Sequence, residues 1–232
     1  MNNPKSKISN PTSLVIVRHG ESTANVARRK AEDEKLPTID FPEREADVPL
    51  SEFGAKQSVA LGNWFKFQKE KPTIIVSSPY LRATETARII AEKARFENKK
   101  IILDERIRER ELGVFDRLTK LGAMEKYAEE CAKREELGKF YHRPLGGESW
   151  ADVALRVRSF WRDLRENFAD EKVLIVTHEV VIRIFRYVLE NFTEAEILAI
   201  DRTCDVENCA VTSYHFDADG NKLTLKLDNH LP

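Results

Sequence analysis

Leu14-Val15-Ile16-Val17-Arg18-His19-Gly20-Glu21-Ser22 opens on consecutive aliphatic residues and then turns abruptly polar. A short apolar run with no alternation reads as a strand covered on both faces, as in a parallel sheet. Three further runs share this character: Thr73–Ser77, Lys100–Leu103 and Val173–Val176. Helical patterns lie between them. Ser78-Pro79 offers an N-cap followed by proline at the first helical position, opening a helix over Tyr80–Lys93. Ser149-Trp150-Ala151-Asp152 has the form of a capping box. It precedes Val153, Val157, Phe160, Trp161 and Leu164, spaced by three and four as one helix face requires. Another helix follows Ser51, with Ala55, Val59 and Trp64 expected inward.

Toward the C-terminus the period changes to two. Val211, Ser213 and His215 alternate with Thr212, Tyr214 and Phe216, and Leu223, Leu225 and Leu227 alternate with Thr224 and Lys226. Asp217-Ala218-Asp219-Gly220-Asn221 supplies turn chemistry between them, so a β-hairpin is expected. The fold class is therefore α/β: a doubly wound, mostly parallel central sheet flanked by helices, with an antiparallel C-terminal hairpin at its edge. Residues 1–12 read as a frayed polar tail, and 13–232 as a single domain. Two polar excursions leave the core pattern, residues 28–48 and about 116–145. The second holds a charged helical piece, Ala123–Glu136, and reads as a helical cap insertion.

The chain has 232 residues, 41% hydrophobic and 33% charged, a balance too apolar for disorder. Lys+Arg number 38 against 39 Asp+Glu, for a formal charge of −1, which argues against bulk attraction to nucleic acid or acidic membrane. No apolar run is long enough to span a bilayer, and the N-terminus lacks the apolar stretch of a signal peptide. Cys131, Cys204 and Cys209 show no zinc-site spacing and are expected as reduced thiols of a cytoplasmic protein. Oligomeric state has no signal in the sequence.

Ligands of open α/β sheets bind beyond the carboxyl ends of the strands. Here those ends carry Arg18-His19-Gly20, Ser77-Ser78-Pro79 with Arg82 soon after, the charged run Asp104–Arg110, and Thr177-His178. Two histidines, at least two arginines and a carboxylate thus share one face. Arginine forks match phosphate oxygens. A histidine nitrogen can attack phosphorus, and a carboxylic acid can protonate the departing oxygen.

At these residues the sequence resembles the histidine phosphatase superfamily, which includes the cofactor-dependent phosphoglycerate mutases. Leu14–Asn25 is similar to its Arg-His-Gly signature, Ser77–Ala87 to its second arginine motif, and Glu105–Gly113 to its acid motif. Gly146-Gly147-Glu148-Ser149 is similar to the turn before its long helix, and Val173–His178 to its second histidine motif. The resemblance implies that His19 is phosphorylated, with Arg18, Asn25, Arg82 and His178 holding the phosphoryl oxygens. It implies Glu109 as general acid and then base, because Glu109 precedes Gly113 as the family's glutamate precedes its glycine. Ser22 and Glu21 follow as candidate substrate contacts, and Lys139, Tyr141 and Arg143 as candidates at the end of the cap. One departure is Glu179, where the family usually has glycine.

The expected activity is hydrolysis of a small phosphomonoester with no cofactor and no metal ion. The alternatives are a phosphoglycerate mutase and a catalytically silent phosphate-binding module. A two-metal phosphatase would need more clustered Asp and His ligands than these strand ends provide. The mutases follow their first motif with a short loop containing a Gly-Trp pair, whereas Val26–Ala46 is long, charged and has neither residue. A looser, wetter pocket favours attack by water.

Overall fold

A computed structural model describes residues 10–96, 100–217 and 223–232. Residues 1–9 of the expected tail, and 218–221 of the expected turn, lie outside the described residues. The chain runs β1 (Ser13–Arg18), α1 (Thr23–Asp33), α2 (Glu52–Phe67), β2 (Ile74–Ser77), α3 (Leu81–Lys93), β3 (Ile101–Leu103), α4 (Lys120–Lys126), α5 (Ala128–Tyr141), α6 (Trp150–Asn167), β4 (Lys172–Thr177), α7 (Glu179–Leu189), α8 (Glu194–Thr203), β5 (Val211–Phe216) and β6 (Leu223–His230).

The strands form one sheet in the order β3-β2-β4-β1-β5-β6. β1 and β2 flank β4 in parallel, β3 joins β2 in parallel, and β5 and β6 add antiparallel partners beside β1. Alternate residues of each strand feed two apolar layers. Leu14, Ile16, Val173 and Ile175 face Val153, Val157, Phe160 and Leu164 of α6 and Val181, Ile184 and Phe185 of α7. Val17, Leu174 and Val176 face Leu61 and Phe65 of α2 and Ala83, Ala87 and Ile90 of α3. Coverage on both faces explains why these strands read as unbroken apolar runs.

Two local expectations are corrected. The inward face of α2 is Gly54, Ser58, Leu61, Gly62 and Phe65, and Ala55, Val59 and Trp64 are only half-buried. Gly54 packs on the Glu21 backbone so closely that a Cβ would lie 1.9 Å from the Glu21 carbonyl oxygen, so the helix presents its small residues there. The helix after β2 starts at Leu81, with Tyr80 as N-cap, although the Ser78 hydroxyl does accept from the Tyr80 amide at 3.3 Å just ahead of it. The capping box at Ser149 forms as expected, with Asp152 returning to the Ser149 backbone.

The 28–48 excursion buries a small cluster of its own, Ala31, Ile39, Phe41 and Val48. It meets the second excursion through Arg117, whose guanidinium donates to the carbonyls of Phe41 (2.6 Å) and Glu43 (2.5 Å). In that second excursion, α4 and α5 break at Tyr127. A further kink at Gly138 (φ +78°) turns Lys139 and Phe140 back toward α6.

Candidate active site

The carboxyl ends of β1, β2 and β4, the loop after β3 and both excursions enclose a cavity of about 520 Å³. Arg18, His19, Ser22, Asn25, Arg82 and Glu109 all line it. His19 is 3% exposed. Its backbone is held by the Thr177 carbonyl (2.9 Å) and by Asn208, whose side-chain amide donates to the His19 carbonyl (2.9 Å). Its Nδ1 lies 2.7 Å from the Gly20 carbonyl, which can only accept, so Nδ1 carries the proton and Nε2 the lone pair. Arg82 Nε donates to that Nε2 at 3.2 Å. Burial first, then the charges of Arg82 and Arg18, hold the His19 pKa well below its ordinary value. Burial and both cations favour the neutral imidazole, a form that can act as a nucleophile.

Arg82 does not pair with Glu85 on its own helix; Glu85 instead accepts from the Leu50 amide at 2.9 Å. The remaining arms of Arg82 take the Glu45 carbonyl (2.7 Å) and carboxylate (2.8 Å). Arg18 contacts the Val206 carbonyl and lies 3.3 Å from Glu179, and its Nε is buried without a partner. Glu179, the departure from the family pattern, thus neutralises part of the Arg18 charge. His178 is fully buried behind the cavity, with its ring 5.1 Å from that of His19. Its Nε2 meets the Ser78 hydroxyl at 2.8 Å, and Nδ1 is buried with no partner. Ser78 thus serves the second histidine while its hydroxyl also accepts from the Tyr80 amide (3.3 Å) at the entry to α3.

Glu109 sits on the loop after β3. Burial pushes its pKa up and Glu179 adds to that, against the Arg110 amide, Arg82 and Arg18. The loop is fastened from α6: Arg156 donates to the carbonyls of Arg106 (2.6 Å), Arg108 (2.8 Å) and Glu109 (3.3 Å). Glu148 holds Arg156, Arg108 and the Glu111 amide. Thr177 Oγ1 adds a bond to the Ile107 carbonyl at 2.7 Å.

Other expected contacts are placed elsewhere. Glu21 binds Ser51 and Arg29, each at 2.7 Å, and ties β1 to the start of α2; it does not line the cavity. Ser22 caps α1 and bonds the Asn25 carboxamide oxygen, which orients Asn25. Arg143 is exposed and forks onto Asp152, the acidic residue in the first turn of α6. Tyr141 is exposed and bonded to Glu194. Lys139 does reach the cavity, paired with Asp201. Glu45, Arg156 and Asn208 were not anticipated, and Ser78 was expected as a helix cap and not as a partner of His178. Glu45, Arg156 and Asn208 each act across a long sequence separation and carry no local pattern that would mark them. Among the described residues no group of three or more His, Cys, Asp or Glu side chains is placed to hold a metal ion. Among the described residues no helix is long and apolar enough to cross a membrane.

The family model described as histidine phosphatase superfamily (branch 1) matches residues 14–229. The chain belongs to this superfamily. It is 30% identical over 209 residues to a 2,3-bisphosphoglycerate-dependent phosphoglycerate mutase 2 of Gloeobacter violaceus, covering 89% of this chain and 87% of the relative. It is 33% identical over 171 residues to phosphoserine phosphatase 1 of Hydrogenobacter thermophilus, covering 73% and 72%. A solved mycobacterial glucosyl-3-phosphoglycerate phosphatase in complex with VO3 superposes with a TM-score of 0.70 at 26% identity, covering 94% and 97%. This histidine phosphatase chain thus has both mutases and phosphatases among its relatives.

Proposed function

We propose that this chain is a phosphomonoester hydrolase that works through a phosphohistidine on His19. The observation that carries the reading is the neutral His19 with its Nε2 lone pair directed at Arg82, in a cavity that also holds Arg18 and a carboxyl of raised pKa, Glu109. A phosphate dianion draws the guanidinium of Arg82 from Nε2 to its own oxygens, with Arg18, Asn25 and the buried His178 Nδ1–H as further donors. Nε2 attacks phosphorus, the ester P–O bond breaks, and Glu109 gives its proton to the departing oxygen. The resulting Glu109 carboxylate takes a proton from water, whose oxygen attacks phosphorus. The P–N bond breaks, releasing phosphate and restoring neutral His19. Arginines meet the developing charge, so the reaction needs no metal ion.

The phosphatase relatives and the broad cavity favour water over a second alcohol as acceptor. The mutase relative sustains a second reading, in which the phosphohistidine returns its phosphoryl group to bound phosphoglycerate. Small phosphorylated metabolites, not nucleic acid, are the proposed substrates. Three free cysteines suit a reducing cytoplasm. The test is alkaline quenching during turnover of p-nitrophenyl phosphate and phosphoglycerate. Wild type carries acid-labile phosphate and releases inorganic phosphate with EDTA present, and His19→Ala does neither. Turnover by His19→Ala refutes the covalent route. Interconversion of 3- and 2-phosphoglycerate far faster than phosphate release establishes the mutase.

A further inference from the structure

A planar guanidinium presents its Nε–H and one Nη2–H side by side along a single edge, the edge that grips two oxygens of one anion. In Arg82 that edge is already filled. Nε meets His19 Nε2 at 3.2 Å, and Nη2 meets Glu45 Oε1 at 2.8 Å. A carboxylate oxygen of the chain therefore stands next to the nucleophilic nitrogen, where an oxygen of a bound phosphate has to be. The third donor, Nη1, takes the Glu45 backbone carbonyl at 2.7 Å. One residue thus gives Arg82 both a fixed acceptor and a movable one.

The backbone around Glu45 is held on both sides. Arg117 donates to the Glu43 carbonyl, and the Leu50 amide donates to the Glu85 carboxylate. The Glu45 carboxylate, by contrast, has Arg82 as its only hydrogen-bond partner among the described residues. It lines the cavity and is half-buried, whereas the Arg82 side chain is 4% exposed. Burial first, with the charge of Asp116 adding to it, holds the Glu45 pKa above its ordinary value against the pull of Arg82 and Arg28. Rotation of the side chain into the open cavity relieves that desolvation. Glu179, the carboxylate beside Arg18, is placed differently: it stands in the first turn of α7 and also accepts from the Val206 amide.

We propose that the Glu45 carboxylate is an internal competitor for the phosphoryl site. It occupies the anion-gripping edge of Arg82 in the empty enzyme, a phosphate dianion must displace it to bind, and its return helps to expel product phosphate. The proposal rests on Arg82 holding the oxygens of the phosphoryl group that His19 attacks. It gives Glu45 control of affinity and no part in making or breaking bonds.

The test is titration of inorganic phosphate into the whole protein by calorimetry, alongside kinetics on p-nitrophenyl phosphate. Glu45→Ala binds phosphate roughly tenfold to hundredfold tighter than wild type, the worth of one hydrogen bond between charged groups. KM falls with it and kcat does not rise. Glu45→Gln, which keeps an acceptor without the charge, tightens binding less, and it carries the test if the alanine variant does not fold. Asp116→Asn is the control, because it removes a second cavity carboxylate close to Glu45 that has no bond to Arg82. Its gain is clearly smaller; an equal gain means that the field of the cavity, and not displacement, sets the affinity, and overturns the proposal. Phosphate binding that is unchanged or weaker in the Glu45 variants overturns it too, and a fall in kcat with KM unmoved then makes Glu45 a support for Arg82. In each of these outcomes wild type still binds phosphate and hydrolyses the ester, so the reading of His19 stands. If wild type neither binds phosphate nor turns over any phosphoester, that reading falls and takes the competitor with it.

Discussion

Arg156→Met tests whether the acid loop is aimed from α6. The arginine is 11% exposed and makes three bonds to carbonyls of the loop, those of Arg106, Arg108 and Glu109, as well as a two-pronged contact with Glu148. Methionine keeps the aliphatic stem but leaves those carbonyls without their donor and removes one of the two arginines on Glu148. Losing one member of a buried, bonded charge pair costs about 3–5 kcal/mol; Arg108 still compensates Glu148, so the lower end, ~3 kcal/mol, is expected. The Tm falls accordingly, and kinetics are measured where circular dichroism shows the variant folded. The catalytic effect comes through Glu109: a displacement of about 1 Å in a positioned group costs on the order of 10²-fold in rate. Because only proton donation is disturbed, the full loss is expected on an alkyl phosphate and a much smaller one on p-nitrophenyl phosphate, whose leaving group needs little protonation. Arg156→Lys, which keeps charge but not the fork, falls between wild type and Arg156→Met. Equal losses on both substrates, or a drop in stability with no kinetic change, would refute the aiming role.

Glu109→Gln loses roughly 10²- to 10⁴-fold on alkyl phosphates and much less on p-nitrophenyl phosphate; an equal loss on both moves the acid to Glu105 or Glu111. Glu179→Gln removes a negative neighbour that helps raise Glu109, so the alkaline limb of the alkyl-phosphate pH profile, above which the acid is ionised, moves to lower pH; an unmoved limb breaks that link. His178 is depressed chiefly by burial, so the unfolded chain binds its proton more readily than the folded one. Its contribution to stability is complete above the ordinary histidine pKa and declines as pH falls below about 6.5, with a slope up to ~1.4 kcal/mol per pH unit. His178→Gln therefore flattens the loss of stability between pH 6.5 and 5, read by urea unfolding, and parallel curves would count against it.

The strands could be read in advance because burial on both faces leaves no room for alternation, and Leu14–Val17 and Val173–Val176 are apolar throughout. The face of α2 was misread because its tight contact selects Gly54 and Ser58, which carry no apolar signal. Arg18, His19, Arg82 and Glu109 stand at strand ends or soon after, where topology alone brings them to one cavity. Their partners were invisible for the opposite reason: Glu45 reaches Arg82 and Asn208 reaches His19 by tertiary folding, with no spacing to detect. Arg143 misled through proximity in sequence, since the first acidic turn of α6 captures it before it can reach the cavity.

β1 lies between β4 and β5, and Leu14 pairs with Val173 on one side and Tyr214 on the other. A ribosome therefore releases the strand that leads into His19 long before either neighbour exists. At 5–20 residues per second, Ser13–Arg18 waits on the order of ten to thirty seconds for β4. During that interval Leu14–Val17 is an unpaired apolar segment of high β-propensity, the kind of segment that associates between nascent chains. Yield in cells should therefore depend on chaperone capacity and translation rate more than on the stability of the finished protein. A truncated product ending before β5 would carry every group proposed for the phosphoryl site and still leave one side of β1 bare.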